Sequence, residues 1–246
     1  MSSVVIRPEE PFDTAKLSLI KLESTDNVSK RYDVCYDGKK MLIQTPALIA
    51  PFALKYFPDG FSSKLTLFMD NEEFNNMVKL IDEFVYMSLF PNAEDRATYM
   101  DFVMKKYPFS LDNNNGINCS SDKCSCLSVN RPSNLLYYID SPMKSTPIKV
   151  MTVNVPLSNN CVRLNTYDCE QHLLTCFQNE RYPVQKFNET FLTPGSLIKI
   201  LFSVGVNYKI INGNPRYFFN LYANQLMIIE RNTQSLNTIP VCSIKP

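Results

Sequence analysis

Two tight turns, each set between runs of alternating residues, constrain the fold of this chain most. Residues 32 to 36 alternate between apolar and polar side chains, Asp37-Gly38 follows at once, and residues 41 to 43 resume the β pattern. Period-two alternation is typical of half-buried strands, and Asp-Gly between two such runs is a strong hairpin signal. Asn212-Gly213 separates two aromatic runs in the same way. The sequence therefore predicts a hairpin over residues 31 to 45 and a second one near the far end.

The remaining pattern predicts one mainly β domain. The 246 residues, of which 45% are hydrophobic, suffice for a single large core. The prolines between Thr45 and Phe61 (Pro46, Pro51 and Pro58) stand among aromatic residues, and their density predicts a loop instead of a central strand. Further strands are predicted at 17–22, 64–69, 148–155, 197–204 and 226–230.

An acidic helical segment is predicted between the two halves of this β core. Asp70 and Glu73 have capping-box spacing, and apolar residues then recur every three or four positions as far as Val85. Residues 70 to 101 hold eight acidic side chains and two basic ones, so their exposed face would repel phosphate. A second helix is predicted from about Asn92 to Lys106, with its inward face formed by Ala97, Met100, Val103 and Met104.

The glycine and histidine contents argue against an enzyme. Six glycines against sixteen prolines leave no glycine-rich phosphate-binding loop. The one histidine, His172, cannot form a His-His metal pair, and no G-x-S-x-G elbow is present. Paired carboxylates occur on the acidic helices, where a solvated face accounts for them. We expect neither catalysis nor a cofactor.

The amino-terminal residues and the hydropathy predict an intracellular protein. Residues 1 to 12 are polar and lack the apolar run of a signal peptide. No run reaches the roughly 18 apolar residues that a membrane span requires. The eight cysteines are then expected to be reduced and mostly buried.

Two groups of cysteines raise the question of a structural zinc ion. Tetrahedral zinc takes four sulfur or nitrogen ligands. Neither group contains a C-x-x-C pair, so the signal is weak and we expect no metal. The side chains that would hold zinc are Cys124, Cys126, Cys169 and His172.

Basic residues accompany aromatic residues on the predicted strands. The net charge of +1 gives no global positive field, so binding of nucleic acid needs cations gathered on one face. Residues 141 to 167 contain no acid, and Glu230 is the only acid from 195 to 231. A single strand offers a phosphate at every nucleotide and an exposed base, which Lys or Arg beside Tyr or Phe would bind. The alternative interpretation is that these rings are core residues.

Both ends of the chain resemble a known family. Residues 36–46 (YDGKKMLIQTP), Pro51-Phe52 and residues 64–67 (KLTL) resemble the amino-terminal part of the phage-type single-stranded DNA-binding proteins of large DNA viruses. Residues 195–200 (GSLIKI) and 208–213 (YKIING) are similar to the closing segment of that family. The chain has Ala53 and Tyr208 where family members usually carry glycine and tryptophan.

The resemblance implies an OB-fold protein that coats single-stranded DNA during viral replication, recombination and repair. It implies a location in the host nucleus or at a viral replication site, and replication proteins such as a polymerase or helicase as candidate partners. The final residues, 243 to 246, lack the acidic tail through which phage relatives recruit such partners. The sequence leaves homo-oligomerisation open and indicates no membrane partner.

Together these features predict a mainly β (α+β) fold with an OB-fold β-barrel. The barrel is expected over about 16–69 and 146–231, with a helical and loop insertion over about 70–145. The alternative is a virion protein of β-sandwich type that does not bind nucleic acid. The predicted DNA-binding residues are Tyr36, Lys39, Lys40, Phe52, Tyr56, Lys149, Lys199, Tyr208, Lys209, Arg216 and Tyr217.

Overall fold

A computed structural model shows a large β-sheet with three helices among the residues that it describes. The described residues are 2–23, 29–56, 62–69, 71–106, 109–111, 117–119, 126–128, 131–132, 137–139, 148–175 and 182–232. A 3-10 turn spans Thr14–Lys16. The first half contains β1 (Ser3–Ile6), β2 (Leu17–Leu22), β3 (Ser29–Tyr36), β4 (Lys39–Tyr56), β5 (Ser62–Phe68), α1 (Glu72–Leu89) and α2 (Ala93–Lys106).

The second half begins with short strands and ends with two long ones. Two separate two-stranded sheets, β6 with β7 and β8 with β9, lie apart from the main sheet. The elements are β6 (Phe109–Leu111), β7 (Ile117–Cys119), β8 (Cys126–Ser128), β9 (Arg131–Pro132), β10 (Tyr137–Ile139), β11 (Ile148–Ser158), β12 (Cys161–Val162), β13 (Asn165–Tyr167), β14 (Leu173–Thr175), β15 (Tyr182–Pro183), α3 (Val184–Phe191), β16 (Leu197–Ile211) and β17 (Asn214–Glu230).

Both predicted hairpins are present. Asp37 and Gly38 take positive φ values of 51° and 69°, and Asn212 and Gly213 take 52° and 77°. Positive φ at both central residues is the geometry that suits the twist of a two-residue hairpin. The second hairpin is longer than predicted because β16 is one continuous strand from Leu197 to Ile211.

Five strands form a closed circle of pairings, in the spatial order β4, β5, β11, β17, β16 and back to β4. β4 pairs with β5, β5 with β11, β16 with β17, and β16 with β4, all antiparallel. The remaining contact, between β11 and β17, is parallel and places Asn154 beside Tyr222. Fully buried apolar residues on these strands face one another, among them Ile43, Leu65, Val153, Ile200 and Leu226.

The proline-rich segment is a strand, so the predicted loop over 45–61 is wrong where the structure describes it. β4 continues to Tyr56. β1 accompanies β4 only as far as Ile43, and β5 joins the same side at Leu48, so Pro46 lies in a gap where a missing N–H breaks no ladder bond. Pro51 lies within an irregularity between Ile49 and Leu54. Gaps and irregular positions are where strands tolerate proline.

Helix α1 forms as its apolar spacing predicts, but its cap differs from the prediction. Asn71, one residue after the expected Asp70, accepts a hydrogen bond from the backbone N–H of Phe74 at 2.8 Å. Asp70 itself lies outside the described residues. Glu72 and Glu73 lie in the first turn, where carboxylates interact favourably with the helix dipole. The predicted apolar face is buried, and Phe74 meets Phe202 edge to face at 6.2 Å.

Helix α2 packs through a residue that periodicity did not identify. Ala97 is exposed, contrary to the prediction, and Tyr99 is buried instead. The side chains of Met100, Val103 and Met104 lie outside the described residues. Arg96 ties α2 to the end of α1 by donating to the carbonyl oxygens of Phe90 and Pro91 at 3.0 and 2.7 Å.

The parallel contact between β11 and β17 yields a stability prediction. Asn154 Nδ2 donates to the backbone carbonyl of Leu221 at 2.9 Å, which joins the two strands beside their single paired position. We expect Asn154→Ala to lower the free energy of unfolding by about 1–2 kcal/mol, because the carbonyl loses a part-buried donor. Urea unfolding measures this. Asn207→Ala, on β16, is the matched control, and equal effects of the two substitutions would contradict the assigned role.

Candidate nucleic-acid interface

The long β16–β17 hairpin has two chemically different faces. We call residues 203–211 and 214–222 the ribbon, and β3 pairs along its β16 edge. Side chains alternate between the faces of a strand, and paired residues share a face. The inner face carries Val206, Tyr208, Tyr217 and Phe219, while the outer face carries Arg31, Asp33, Asn207, Lys209, Arg216, Phe218, Asn220 and Tyr222.

The inner face is covered by the two acidic helices. Tyr99 of α2 stacks on Tyr217 at 5.5 Å, and Phe90, just after α1, lies 6.0 Å from Tyr208. The Tyr217 hydroxyl donates to the buried carboxylate of Asp82 at 2.8 Å. Aromatic contacts of this kind stabilise beyond their buried area. Both helices, with the Asp82 carboxylate, therefore lie on the inner side of the ribbon.

The outer face brings cations and rings together. Lys209 pairs with Arg216 across the ribbon, and the Lys209 ammonium lies 5.2 Å from the centre of the Phe218 ring. Arg31 of β3 pairs with Asn207, which in turn pairs with Phe218. Paired residues on neighbouring strands lie roughly 5 Å apart. These side chains form one continuous surface.

Tyr222 extends the outer face towards β3 and is 44% exposed. Burial of part of the phenol raises the pKa of Tyr222, while the nearby Arg31 guanidinium lowers it and the Asp33 carboxylate raises it. The ring is therefore neutral at ordinary pH. Its hydroxyl end lies close enough to Arg31 and Asp33 to sense both charges.

The acid of this surface is already paired. Asp33 Oδ2 lies 3.1 Å from the Lys40 ammonium, and the Asp33 side chain is 14% exposed. A carboxylate that is paired and largely covered repels a phosphate less than an exposed one does. Lys40 thus neutralises Asp33 and contributes little positive charge of its own.

The surface continues across the parallel contact onto β5. Asn154 pairs with Tyr222 on one side and with Lys64 on the other. Lys64 is exposed. The pairing places a further cation two strands away from the Tyr222 ring, on the same side of the sheet.

Only part of the predicted site gathers at this surface. Lys209 and Arg216 lie on it, side by side. Lys199 is on the same strand as Lys209 but ten residues earlier, about 33 Å of extended chain. Lys39 is exposed directly after the Asp37-Gly38 turn of the first hairpin, as the first residue of β4. The side chains of Phe52, Tyr56 and Lys149 lie outside the described residues, although their backbones belong to β4 and β11.

Three aromatic residues that were predicted to stack on bases pack against other rings of the protein instead. Tyr36 and Tyr217 are only 9% and 5% exposed, so their rings offer no face to a base. Tyr36 stacks on Phe12 at 5.5 Å. Tyr208 packs against Phe90, and burial together with the Asp95 carboxylate raises the pKa of its phenol. For these residues the alternative interpretation, that the rings are core residues, describes the structure better.

The site residues that sequence reasoning missed are Arg31, Phe218, Tyr222, Asn207, Asn220 and Lys64. The available signal was the alternation from Arg216 to Ala223, in which one set of positions is polar or aromatic and the other is apolar or aromatic. Because rings occur in both sets, the pattern could not assign the two faces.

The structure describes the side chains of two of the four zinc candidates, Cys169 and His172. Cys169 is exposed, and Cys124 and the side chain of Cys126 lie outside the described residues. His172 Nδ1 lies 3.2 Å from Asp168 Oδ2. No group of three or more metal-ligating side chains occurs among the described residues. None of the described helices has the length and apolar character needed to cross a membrane.

Comparison with known proteins gives weak structural likenesses. No protein-family model matches this chain, and no curated protein sequence matches it. The single-stranded DNA-binding protein of bacteriophage Enc34 is similar at a TM-score of 0.39 and 10% identity, over 90% of this chain and 96% of that one. Its complex with single-stranded DNA scores 0.38 at 12% identity, over 87% and 96% of the two chains.

A second phage protein gives a similar value. The single-stranded DNA-binding protein gp2.5 of bacteriophage T7 has a TM-score of 0.37 and 15% identity, over 79% of this chain and 88% of that one. Likenesses at this level establish neither a shared fold nor a shared function.

The position of Tyr217 generates a testable prediction. Tyr217→Phe removes the hydroxyl that donates to the buried Asp82, so we expect the free energy of unfolding to fall by about 1–3 kcal/mol. Oligonucleotide affinity of the folded protein should not change, because the ring lies on the inner face. Urea unfolding and a binding titration at low temperature test the two halves. A weaker affinity of the fully folded Tyr217→Phe variant would show that Tyr217 takes part in binding the oligonucleotide.

Proposed function

We propose that the ring formed by β4, β5, β11, β17 and β16 is an OB-type β-barrel. The order of strand pairing supports this, with four antiparallel contacts and one parallel contact among five strands. OB folds bind oligonucleotides across their second and third strands and at the loops after the first and fourth. In this chain those parts correspond to β5, β11, the connection after β4 and the Asn212-Gly213 turn.

We further propose that the chain binds single-stranded DNA along the outer face of the ribbon. The observation that carries this proposal is the separation of charge across the ribbon: Lys209, Arg216 and Arg31 share the outer face with two rings, while the acidic helices cover the inner face. Cations follow the phosphates of a strand, and rings stack on its bases without regard to their identity. Binding is expected to be sequence-tolerant.

Duplex DNA fits this surface less well. In a duplex the flat faces of the bases are already stacked on one another, so the rings of Phe218 and Tyr222 would find no partner. Only the electrostatic part of the interaction would remain, and it weakens steeply with salt. The proposed substrate is therefore an unpaired strand.

The biological role that we propose is coating of single-stranded DNA, without catalysis, during viral replication, recombination and repair inside the host cell. It is supported by the family resemblance of residues 36–46, 195–200 and 208–213. Replication proteins are the partners that such a role would bring.

The electrostatic half of the mechanism predicts a specific salt response. The double variant Lys209→Ala/Arg216→Ala should bind a labelled oligo-dT more weakly at low salt. The slope of log affinity against log salt should become shallower by about 1.4, which is about 0.7 for each phosphate that the variant no longer neutralises. Fluorescence anisotropy titrations at a series of salt concentrations measure both quantities.

Lys79→Ala supplies the matched control for charge. Lys79 is an exposed lysine on α1, the helix whose Asp82 binds Tyr217 on the inner face of the ribbon. The Lys79→Ala substitution should leave unchanged both the affinity for oligo-dT and the slope of log affinity against log salt. Absence of binding by the natural chain at low salt would reject the proposal and favour the virion-protein alternative.

The stacking half predicts an effect that salt does not remove. Phe218→Ala should weaken binding of oligo-dT by about 1–3 kcal/mol, because one base loses its ring partner. The effect should persist at high salt, where phosphate contacts are screened. Met87→Ala, at an apolar side chain of α1 that is 49% exposed, is the control for removing surface apolar area. An equal decrease in affinity in both variants would exclude a specific stacking role.

A further inference from the structure

Gly205 occupies a position that its backbone conformation does not explain. Gly38, Gly195 and Gly213 have φ values of 69°, 79° and 77°, which side chains other than glycine rarely adopt. Gly205 lies in the middle of β16 and has no such φ. Glycine within a strand lowers stability and commonly marks a close approach by another group. The reason for glycine here is therefore to be sought in the space above it.

The ring of Tyr222 fills that space. A Cβ atom built on Gly205 would lie 3.2 Å from Cε2 of Tyr222, closer than ordinary van der Waals contact. The next nearest atoms, the carbonyl oxygens of Asn220 and Tyr32, lie at 3.5 and 3.7 Å and would not be displaced. Tyr222 pairs with Ser203, so its ring reaches diagonally along the sheet to rest on Gly205.

The ring extends from β17 across β16 in the direction of β3. Tyr222 pairs with Ser203, its Cε2 atom lies over Gly205, and Gly205 pairs in turn with Asp33 of β3. The charges of Arg31 and Asp33 both act on the Tyr222 phenol. Tyr222 is nevertheless 44% exposed, so part of its ring is open to solvent.

We propose that the Tyr222 ring, seated on Gly205, is a preformed stacking site for one unpaired nucleobase, and that Gly205 is its positioning residue. This inference rests on the proposed binding of single-stranded DNA. A ring that the free protein already holds in place loses little conformational freedom when a base stacks on it. Arg31 at the hydroxyl end is placed to meet the phosphate of the same nucleotide or the next one.

Gly205→Ala tests the inference directly. The added methyl group tilts the ring away from the sheet, so affinity for oligo-dT should fall by about 3- to 10-fold, part of the contribution of one stacked base. Affinity for an abasic strand of equal length should not change. The melting temperature should change little, because the lower cost of alanine within a strand is offset by the contact that the displaced ring loses. A residue with a purely structural role would not lower affinity while preserving stability.

A double-mutant cycle assigns the effect to the ring. In a Tyr222→Ala background, Gly205→Ala should weaken binding no further, because the methyl group has nothing left to displace. Should Gly205→Ala fold poorly, Tyr222→Ala alone remains decisive, with weaker binding expected on the base-bearing strand and unchanged binding on the abasic strand.

Three results would overturn the inference. They are unchanged oligo-dT affinity in Gly205→Ala, an equal decrease on the abasic strand, and an additive decrease in the Tyr222→Ala background. Each leaves salt-sensitive binding by the natural chain intact, and so leaves the proposed function standing. Absence of that binding would overturn both.

Discussion

The structure depends on the register of the β16–β17 ribbon. Side chains alternate between the two faces along β17, so if Tyr217 lies on the inner face, Phe218 lies on the outer face. The position of Tyr217 therefore fixes the face of every ribbon residue as far as the irregularity at Phe202. The hydrogen bond from Tyr217 to the buried Asp82, together with stacking on Tyr99, holds Tyr217 on the inner face. A slip by one residue would expose Tyr217 and bury Arg216. Core packing and the outer surface are therefore two results of the same constraint.

This arrangement explains how a nearly neutral chain can present a basic surface. The net charge is only +1, and the Asp95 carboxylate of α2 acts on Tyr208, on the inner face of the ribbon. With the acidic helices on the inner side, the charges nearest the outer rings are Lys209 at Phe218, and Arg31 with the Lys40-paired Asp33 at Tyr222. Separation of charge across a thin sheet replaces the overall positive field that many nucleic-acid-binding proteins use.

Local signals in the sequence predicted the turns and the first helix because their causes are local. Asp37-Gly38 tolerates the positive φ that a two-residue hairpin turn needs, and the spacing from Phe74 to Val85 is a property of one helix. Pro46 was misread because its tolerance depends on where β1 ends and β5 begins, which involves distant segments. The stacking residues were misread for a similar reason. Sequence shows that Tyr217 and Phe218 lie on opposite faces, but only the position of α2 shows which face is covered.

One residue, Asn154, both closes the circle of five paired strands and connects the outer face of the ribbon with β5. Asn154 joins β11 to β17 through the Leu221 carbonyl, and it pairs with both Lys64 and Tyr222. Without this contact β11 and β17 would not be paired, and Lys64 would have no fixed relation to the ribbon. The contact between β11 and β17 thus also extends the outer face from the ribbon onto β5. A single strand of DNA bound there would run across the sheet over this contact, and would meet Arg31 on β3, then Tyr222 on β17 and then Lys64 on β5.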